Sequence, residues 1–280
     1  MRKKSSSALW ISVATVALVS ICVLGGGFLM AVTGPKGEVA SNAPVGQVEA
    51  KEAAAAAPAA NEPYRIVALG DSLTKGVGDT TGKGYVGFLK DKLEANGRTV
   101  HLQNLGISGL ESTELAASLD SGGIKEAIQT AQLITISIGG NDVTHSIGGV
   151  GKIFSTSAIP EAAIREAQAQ YTKNLGQILQ TVRQHNPEAS ILVLGLYNPF
   201  EGVFEDQPLI QKLLSEWNAN LIQTAQTMPN VKVIPTFDIF QWNVGKFLSP
   251  DHFHPNEAGY ERIAERFFQA LPEKMQAKKQ

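Results

Sequence analysis

Four short segments, far apart in the chain, carry side chains whose types and order suit ester hydrolysis. They hold Ser72 in Gly70-Asp71-Ser72-Leu73, Gly106 in Asn104-Leu105-Gly106, Asn141 in Gly139-Gly140-Asn141-Asp142, and Asp251 with His254 in Asp251-His252-Phe253-His254. A serine hydroxyl is a weak nucleophile until a base removes its proton. His254 is the candidate base and Asp251 its orienting carboxylate. Three residues apart on one turn, the carboxylate accepts from the imidazole Nδ1–H and leaves Nε2 for Ser72. His252 competes for the role, but side chains of adjacent residues such as Asp251 and His252 usually diverge. A tetrahedral intermediate needs fixed N–H donors where negative charge develops. The backbone amides of Ser72 and Gly106 and the side-chain amide of Asn141 would supply three, and glycine at 106 lets a substrate approach the backbone closely. Asp71 and Asp142, beside the nucleophile and the asparagine, are expected in supporting roles, Asp142 on the Asn141 loop.

Taken singly, each segment has a plainer reading. Ser72 alone reads as a helix cap, Gly106 and Asn141 as turn residues, and 251–254 as a polar loop before the last helix. Other chemistries fit less well. Thr74 stands where the nucleophile elbow Gly-x-Ser-x-Gly requires glycine. The glycines from 76 to 84 lack both the P-loop ending and the dinucleotide fingerprint. Asp251, His252, His254 and Glu257 could ligate a metal, but no second His-rich segment completes a shell.

The elements that must position these residues alternate. Short apolar runs at 65–69, 99–104, 133–138, 190–196 and 231–234 read as strands buried on both faces. Amphipathic stretches at 84–95, 159–185, 207–227 and 255–270 read as helices, the first ending at Asn96-Gly97 and the last opening on Pro255. Such alternation implies an α/β architecture with a central, mostly parallel five-stranded sheet covered by helices on both faces. Ligands bind such sheets at the carboxyl ends of strands. Ser72, Gly106 and Asn141 each fall just past the end of one of the first three strands, so one sheet edge would gather all three.

The chain has 280 residues, 43% of them hydrophobic, and a net charge of -2. That suffices for a substantial core, and the absence of a Lys/Arg stripe in the body of the chain argues against a nucleic-acid partner. The single cysteine, Cys22, excludes an internal disulfide framework. Arg2, Lys3 and Lys4 precede an uncharged stretch reaching to Lys36, and residues 8–32 are apolar enough to span a bilayer as a helix. The charge order places the N-terminus in the cytoplasm and the remainder outside. A cleaved signal peptide is the alternative, but its apolar core is usually shorter and no clean cleavage site follows. The expected organisation is therefore a basic tip and transmembrane anchor (1–33), a flexible Ala/Pro/Gly-rich stalk (34–62), a catalytic domain (63–273) and a short tail (274–280). The protein is expected at the cell membrane, as a monomer, with its catalytic domain outside the cytoplasm.

With these residues in view, the chain resembles the SGNH, or GDSL, hydrolases, whose name lists the Ser, Gly, Asn and His of four blocks. Ser72 matches the first block, Gly106 the second, Asn141 the third, and Asp251 with His254 the last. The resemblance spans nearly the whole of 63–273 without a substitution in the blocks. It implies a flavodoxin-like three-layer α/β/α sandwich and a Ser–His–Asp triad that needs no cofactor. In its anchored layout the chain looks like the lipase/acylhydrolase-type members of Gram-positive bacteria.

Specificity is less legible. Residues 143–160, rich in glycine, could form a flap over the site or merely a long connection. Phe200, Phe204, Trp242 and Phe247 are candidates for an acyl pocket or for the core. No strongly apolar segment marks a lid, which favours small acyl groups on an envelope molecule. Two rivals stay open: a non-catalytic envelope-binding module on the same fold, and an acyltransferase in which an alcohol replaces water.

Overall fold

The computed structural model describes residues 62–149, 152, 159–202 and 207–276. The expected anchor and the stalk up to residue 61 lie outside the described residues, as do Phe204, most of 150–158 and the final four residues. Among the described residues no helix is long and apolar enough to cross a membrane.

Five strands build the core: β1 (Tyr64–Gly70), β2 (Val100–Gly106), β3 (Leu133–Ser137), β4 (Ser190–Leu194) and β5 (Val231–Ile234). Their order is β2-β1-β3-β4-β5, and all four pairings are parallel. This is the doubly wound order seen in flavodoxin-type folds. The central strands β1, β3 and β4 are mainly apolar because both their faces are covered, whereas the edge strands β2 and β5 are partly exposed, against the expectation that all five are buried on both faces. Ile66, Ala68 and Leu133 belong to one buried cluster; Val67, Leu69 and Ile134 belong to the other. The helices divide accordingly. On the first face lie α2 (Gly84–Ala95), α8 (Phe237–Phe240), α9 (Val244–Phe247), α10 (Glu257–Ala270) and α11 (Glu273–Gln276). On the second lie α3 (Ser112–Ser118), α4 (Gly122–Thr130), α5 (Gly140–Ser146), α6 (Glu161–His185) and α7 (Gln207–Gln226). A four-residue helix, α1 (Ser72–Lys75), caps the end of β1.

The strand ends lie in register. Gly70 is paired with Gly106 on one side and Ser137 on the other, so the segments after β1, β2 and β3 emerge from one edge. Gly70 cannot be replaced there: its φ is +129°, and a Cβ would lie 1.9 Å from the Ser137 carbonyl oxygen.

Two boundaries next to the site differ from expectation. The second strand runs on to Gly106, which is its last residue rather than lying just past an end at 104. The helix expected to open on Pro255, α10, begins at Glu257. The Asn256 side chain accepts from the Gly259 amide at 3.0 Å and is the better cap, while Pro255 forms an isolated antiparallel bridge with Leu248.

Candidate active site

The turn after β1 fixes Ser72. Asp71 is the N-cap of α1, its carboxylate accepting from the Leu73 amide at 3.0 Å, and Gly76 closes the helix with a φ of 89°. Ser72 occupies the first helical position, where a backbone N–H has no partner within the helix. Beneath it lies a buried polar network that the sequence reading missed. Ser137 Oγ donates to Asp71 at 2.7 Å and accepts from the Thr74 amide at 3.1 Å. Thr74 Oγ1 lies 2.7 Å from Ser137 Oγ, 3.0 Å from the Leu69 carbonyl and 3.0 Å from Tyr85 Oη, and Tyr85 donates to Thr135. Thr74, which departs from the elbow pattern, is thus the link between α1 and the sheet. One signal was available: Thr135 and Ser137 alternate with isoleucines in the run Leu-Ile-Thr-Ile-Ser, which puts two hydroxyls on one strand face. Burial pushes the Asp71 carboxyl up to about 6, against the hydrogen bonds from Ser137 and Leu73 that favour its charge.

From 182 residues away, His254 Nε2 comes within 2.8 Å of Ser72 Oγ. His254 Nδ1 lies 2.7 Å from Asp251 Oδ2. The other carboxylate oxygen of Asp251 accepts from Ser249 Oγ at 2.7 Å and from the Phe253 and His254 amides, each at 2.9 Å. Partial burial works against the charge of Asp251, but these hydrogen bonds outweigh it and hold the carboxyl down at about 2. Ser249 gave no signal in the sequence. His252 sits in the same turn with a φ of 56°, exposed to solvent, and it is His254 that reaches Ser72. Among the described residues no group of three or more His, Cys, Asp or Glu side chains could hold a metal ion.

Gly106 and Asn141 lie at the same sheet edge, each already engaged. The Gly106 amide donates to Asn104 Oδ1 at 2.9 Å, and Asn104 Nδ2 donates to the Thr74 carbonyl at 2.8 Å. A Cβ at 106 would lie 2.4 Å from the Lys75 nitrogen, so glycine is required by the close passage of α1. Glycine is needed here for packing against α1, not only for the close substrate approach expected of it. Asn141 Nδ2 donates to the Leu110 carbonyl at 2.9 Å, which leaves its second amide hydrogen. Asp142 accepts from the Ser112 amide at 3.1 Å and from Ser112 Oγ, and Asn174 Nδ2 donates to that hydroxyl at 2.8 Å. It therefore ties α5 to the start of α3, just beyond the Leu110 carbonyl that holds Asn141. Burial raises the Asp142 carboxyl against the hydrogen bonds from Ser112.

A cleft of about 500 Å³, open mouth included, is lined by Ser72, Gly140, Asn141, Tyr197, Phe200 and Phe253 among others. Phe200 thus belongs to the site. Phe247 does not: it packs edge-on against Phe240 in the core at 6.3 Å. Trp242 is 78% exposed and outside this cleft.

Comparison with known proteins gives this arrangement a context. Residues 68–262 match the model of the GDSL-like Lipase/Acylhydrolase family. The spore germination lipase LipC of Bacillus licheniformis is 34% identical over 208 residues, covering 72% of this chain and 93% of that protein. The uncharacterized protein YpmR of Bacillus subtilis is 30% identical over 210 residues, covering 74% of this chain and 80% of that protein. The crystal structure of the lipase Lip_vut3 from a goat rumen metagenome superposes with a TM-score of 0.65 at 33% identity, covering 74% of this chain and 96% of that one. The matched span runs from the strand that delivers Ser72 to the helix that follows His254, and on that ground the chain belongs to the GDSL-like lipase/acylhydrolase family and is a carboxylic ester hydrolase.

Proposed function

We propose that Ser72, His254 and Asp251 are the catalytic triad of this hydrolase and that it cleaves acyl esters through a serine acyl-enzyme. The observation that carries the reading is the unbroken chain from Asp251 Oδ2 to His254 Nδ1 at 2.7 Å and from His254 Nε2 to Ser72 Oγ at 2.8 Å. Ser72 Oγ attacks the ester carbonyl carbon while His254 Nε2 takes its proton. Asp251, ionised at any pH well above 2, holds the imidazolium that forms. The tetrahedral intermediate collapses, the alcohol leaves with the proton from His254, and Ser72 keeps the acyl group. Water then repeats the sequence, with His254 as base, and releases the acid.

The oxyanion accepts from the Ser72 amide and the second amide hydrogen of Asn141. Gly106 joins as third donor when its N–H turns from Asn104 Oδ1 to the substrate oxygen. Loss of one such donor typically lowers turnover by about 10²–10³. The reading also has a location. The basic tip and apolar run of residues 2–32 anchor the chain in the membrane with residues 63–273 outside, where protease treatment of intact cells would cleave them.

The direct test is turnover of nitrophenyl esters by the full-length protein and by Ser72→Ala. Wild-type turnover with loss of at least about 10⁴ in the variant is the expected result. Equal rates in the two proteins would remove Ser72 from the chemistry, and inertness of both would bring back the binding-module alternative.

A further inference from the structure

The Asn141 amide is held by hydrogen bonds that can be followed out of the site and into α6. Its Nδ2 gives one hydrogen to the Leu110 carbonyl at 2.9 Å. An amide anchored by one hydrogen cannot turn freely, so the position of that carbonyl sets the direction of the second hydrogen. The residues after Leu110 are tied to the same helix. The Glu111 carboxylate is hydrogen-bonded to His145 Nδ1, and Ser112 gives its hydroxyl, and its amide at 3.1 Å, to Asp142. Residues 110–112 thus grip three residues of α5, and whatever fixes this segment fixes the Asn141 amide.

What fixes it is one side chain in the middle of α6. Asn174 donates one Nδ2 hydrogen to Ser112 Oγ at 2.8 Å and the other to Thr113 Oγ1 at 2.9 Å. Its Oδ1 accepts from Gln170 Nε2 at 2.8 Å, one helical turn earlier, which keeps the nitrogen turned toward α3. Asn174 is only 5% exposed and Ser112 is fully buried, and neither lines the cleft at Ser72. Tyr171, three residues before Asn174 and so on the same face of α6, packs against Gly139, where a Cβ would lie 2.7 Å from its ring. One face of α6 therefore borders the segment 139–142 at its start and, through Ser112, at its end.

We infer that Asn174 is a positioning residue for ester hydrolysis: by holding Ser112 and Thr113 it fixes the Leu110 carbonyl and, through it, the direction of the Asn141 amide. This rests on the proposed reading of Asn141 as an oxyanion donor. Such donors stabilise the developing charge because they are already aimed and need not reorient during the reaction. Packing α6 against α3 does not itself call for an amide, since an apolar side chain would do so with no polar group to satisfy. The amide is needed to hold two hydroxyls in place, one of them bonded to the residue that follows Asn141. Asn174 touches neither the substrate cleft nor the reacting atoms, so its effect on the chemistry must pass through Asn141.

The test is a double-mutant cycle on the full-length protein. Values of kcat and KM for nitrophenyl acetate are measured for the wild type, Asn174→Ala, Asn141→Ala and the two changes combined. Asn141→Ala should lower kcat by about 10²–10³, the usual effect of losing one oxyanion donor. Asn174→Ala should lower kcat by about 10–10², the effect of a slightly misplaced active-site group, with KM within about twofold of the wild type. In the Asn141→Ala background the same change should alter kcat by less than about twofold, because the group it positions is gone. An equal fall in both backgrounds would mean that Asn174 supports the fold at large, and would overturn the proposal. So would a wild-type kcat in Asn174→Ala. Asn174→Leu fills the same space without a donor and should lose as much as Asn174→Ala; recovery of the wild-type kcat would assign the loss to a cavity and overturn the proposal too. Should Asn174→Ala fail to fold, Asn174→Leu takes its place in the cycle. A wild-type kcat in Asn141→Ala would be a different failure: it would remove Asn141 from the oxyanion site, leave Asn174 nothing to position, and spare Ser72.

Discussion

Ser72 and His254 meet at 2.8 Å, yet the two sides of that contact are built in opposite ways. The nucleophile side belongs to the sheet. Ser72 follows Gly70, which is locked between β2 and β3, and it stands on Asp71, Thr74 and Ser137, which are buried and bonded to one another. The base side is a surface turn. Residues 249–254 are closed on themselves by the Ser249 amide to the His254 carbonyl at 2.8 Å and the His252 amide to the Ser249 carbonyl at 2.9 Å. The turn is moored from outside by Tyr197 Oη to the Phe253 carbonyl at 2.6 Å and by Asn256 Nδ2 to the Leu248 carbonyl at 3.0 Å. The position of the nucleophile is thus a property of the whole fold, whereas the base is placed by a handful of local hydrogen bonds. Changes on the base side should remove activity and spare stability; changes beneath the nucleophile should register first in stability.

The largest expected effect comes from His254→Ala. Loss of the base should lower kcat/KM by a factor on the order of 10⁴–10⁶. The free energy of unfolding should move by no more than about 1 kcal/mol, because the imidazole anchors no core element. Ester turnover and urea unfolding of the same preparation check both halves. A variant that loses activity by unfolding would show that the turn supports the domain, and the contrast between the two sides would fail.

The two sides also differed in how far the sequence disclosed them. The central strands were legible because both faces of the sheet are covered there, so β1, β3 and β4 read as mainly apolar runs. The blocks that carry Ser72, Gly106, Asn141, Asp251 and His254, the residues proposed for chemistry, were legible, since their spacing is local. What holds them was not. Ser137 meets Thr74 across 63 residues, Ser249 meets Asp251 through a hydroxyl that nothing nearby marks, and Asn104 engages Gly106 although it stands in the same block. Supporting contacts depend on which side chains the fold brings together, and that information is not in the spacing.

A smaller effect tests the nucleophile side. Asp71 has its carboxyl raised from 3.8 to about 6 by burial, so the folded state binds that proton more tightly than the unfolded chain. Below about pH 4 both states hold the proton and there is no penalty. As pH rises from about 4 to 6 the unfolded chain ionises first, and folding loses up to about 3 kcal/mol from this group. Asp71→Asn keeps an oxygen that can accept from Leu73 and Ser137 but carries no charge. Its stability should therefore exceed that of the wild type at pH 7 and approach it at pH 4, read as the difference between urea midpoints at the two pH values. Identical pH slopes in wild type and variant would mean that the charge of Asp71 is well accommodated, and the foundation of Ser72 would not be under electrostatic load.

The smallest effect is the sharpest on the base side. Ser249→Ala removes one of three donors to Asp251 Oδ1 and leaves the Phe253 and His254 amides in place. The turn should still close, since its backbone hydrogen bonds do not use the hydroxyl. Asp251 would gain freedom to rotate, and His254 would spend less time aimed at Ser72. One lost charge-assisted hydrogen bond corresponds to about a tenfold fall in turnover. That fall should appear in kcat and not in KM, because Ser249 does not line the cleft at Ser72. If KM rises instead, the turn shapes the substrate site as well as the base. If kcat is unchanged, the two amides alone fix the carboxylate, and the base is held by backbone no less firmly than the nucleophile is held by the sheet.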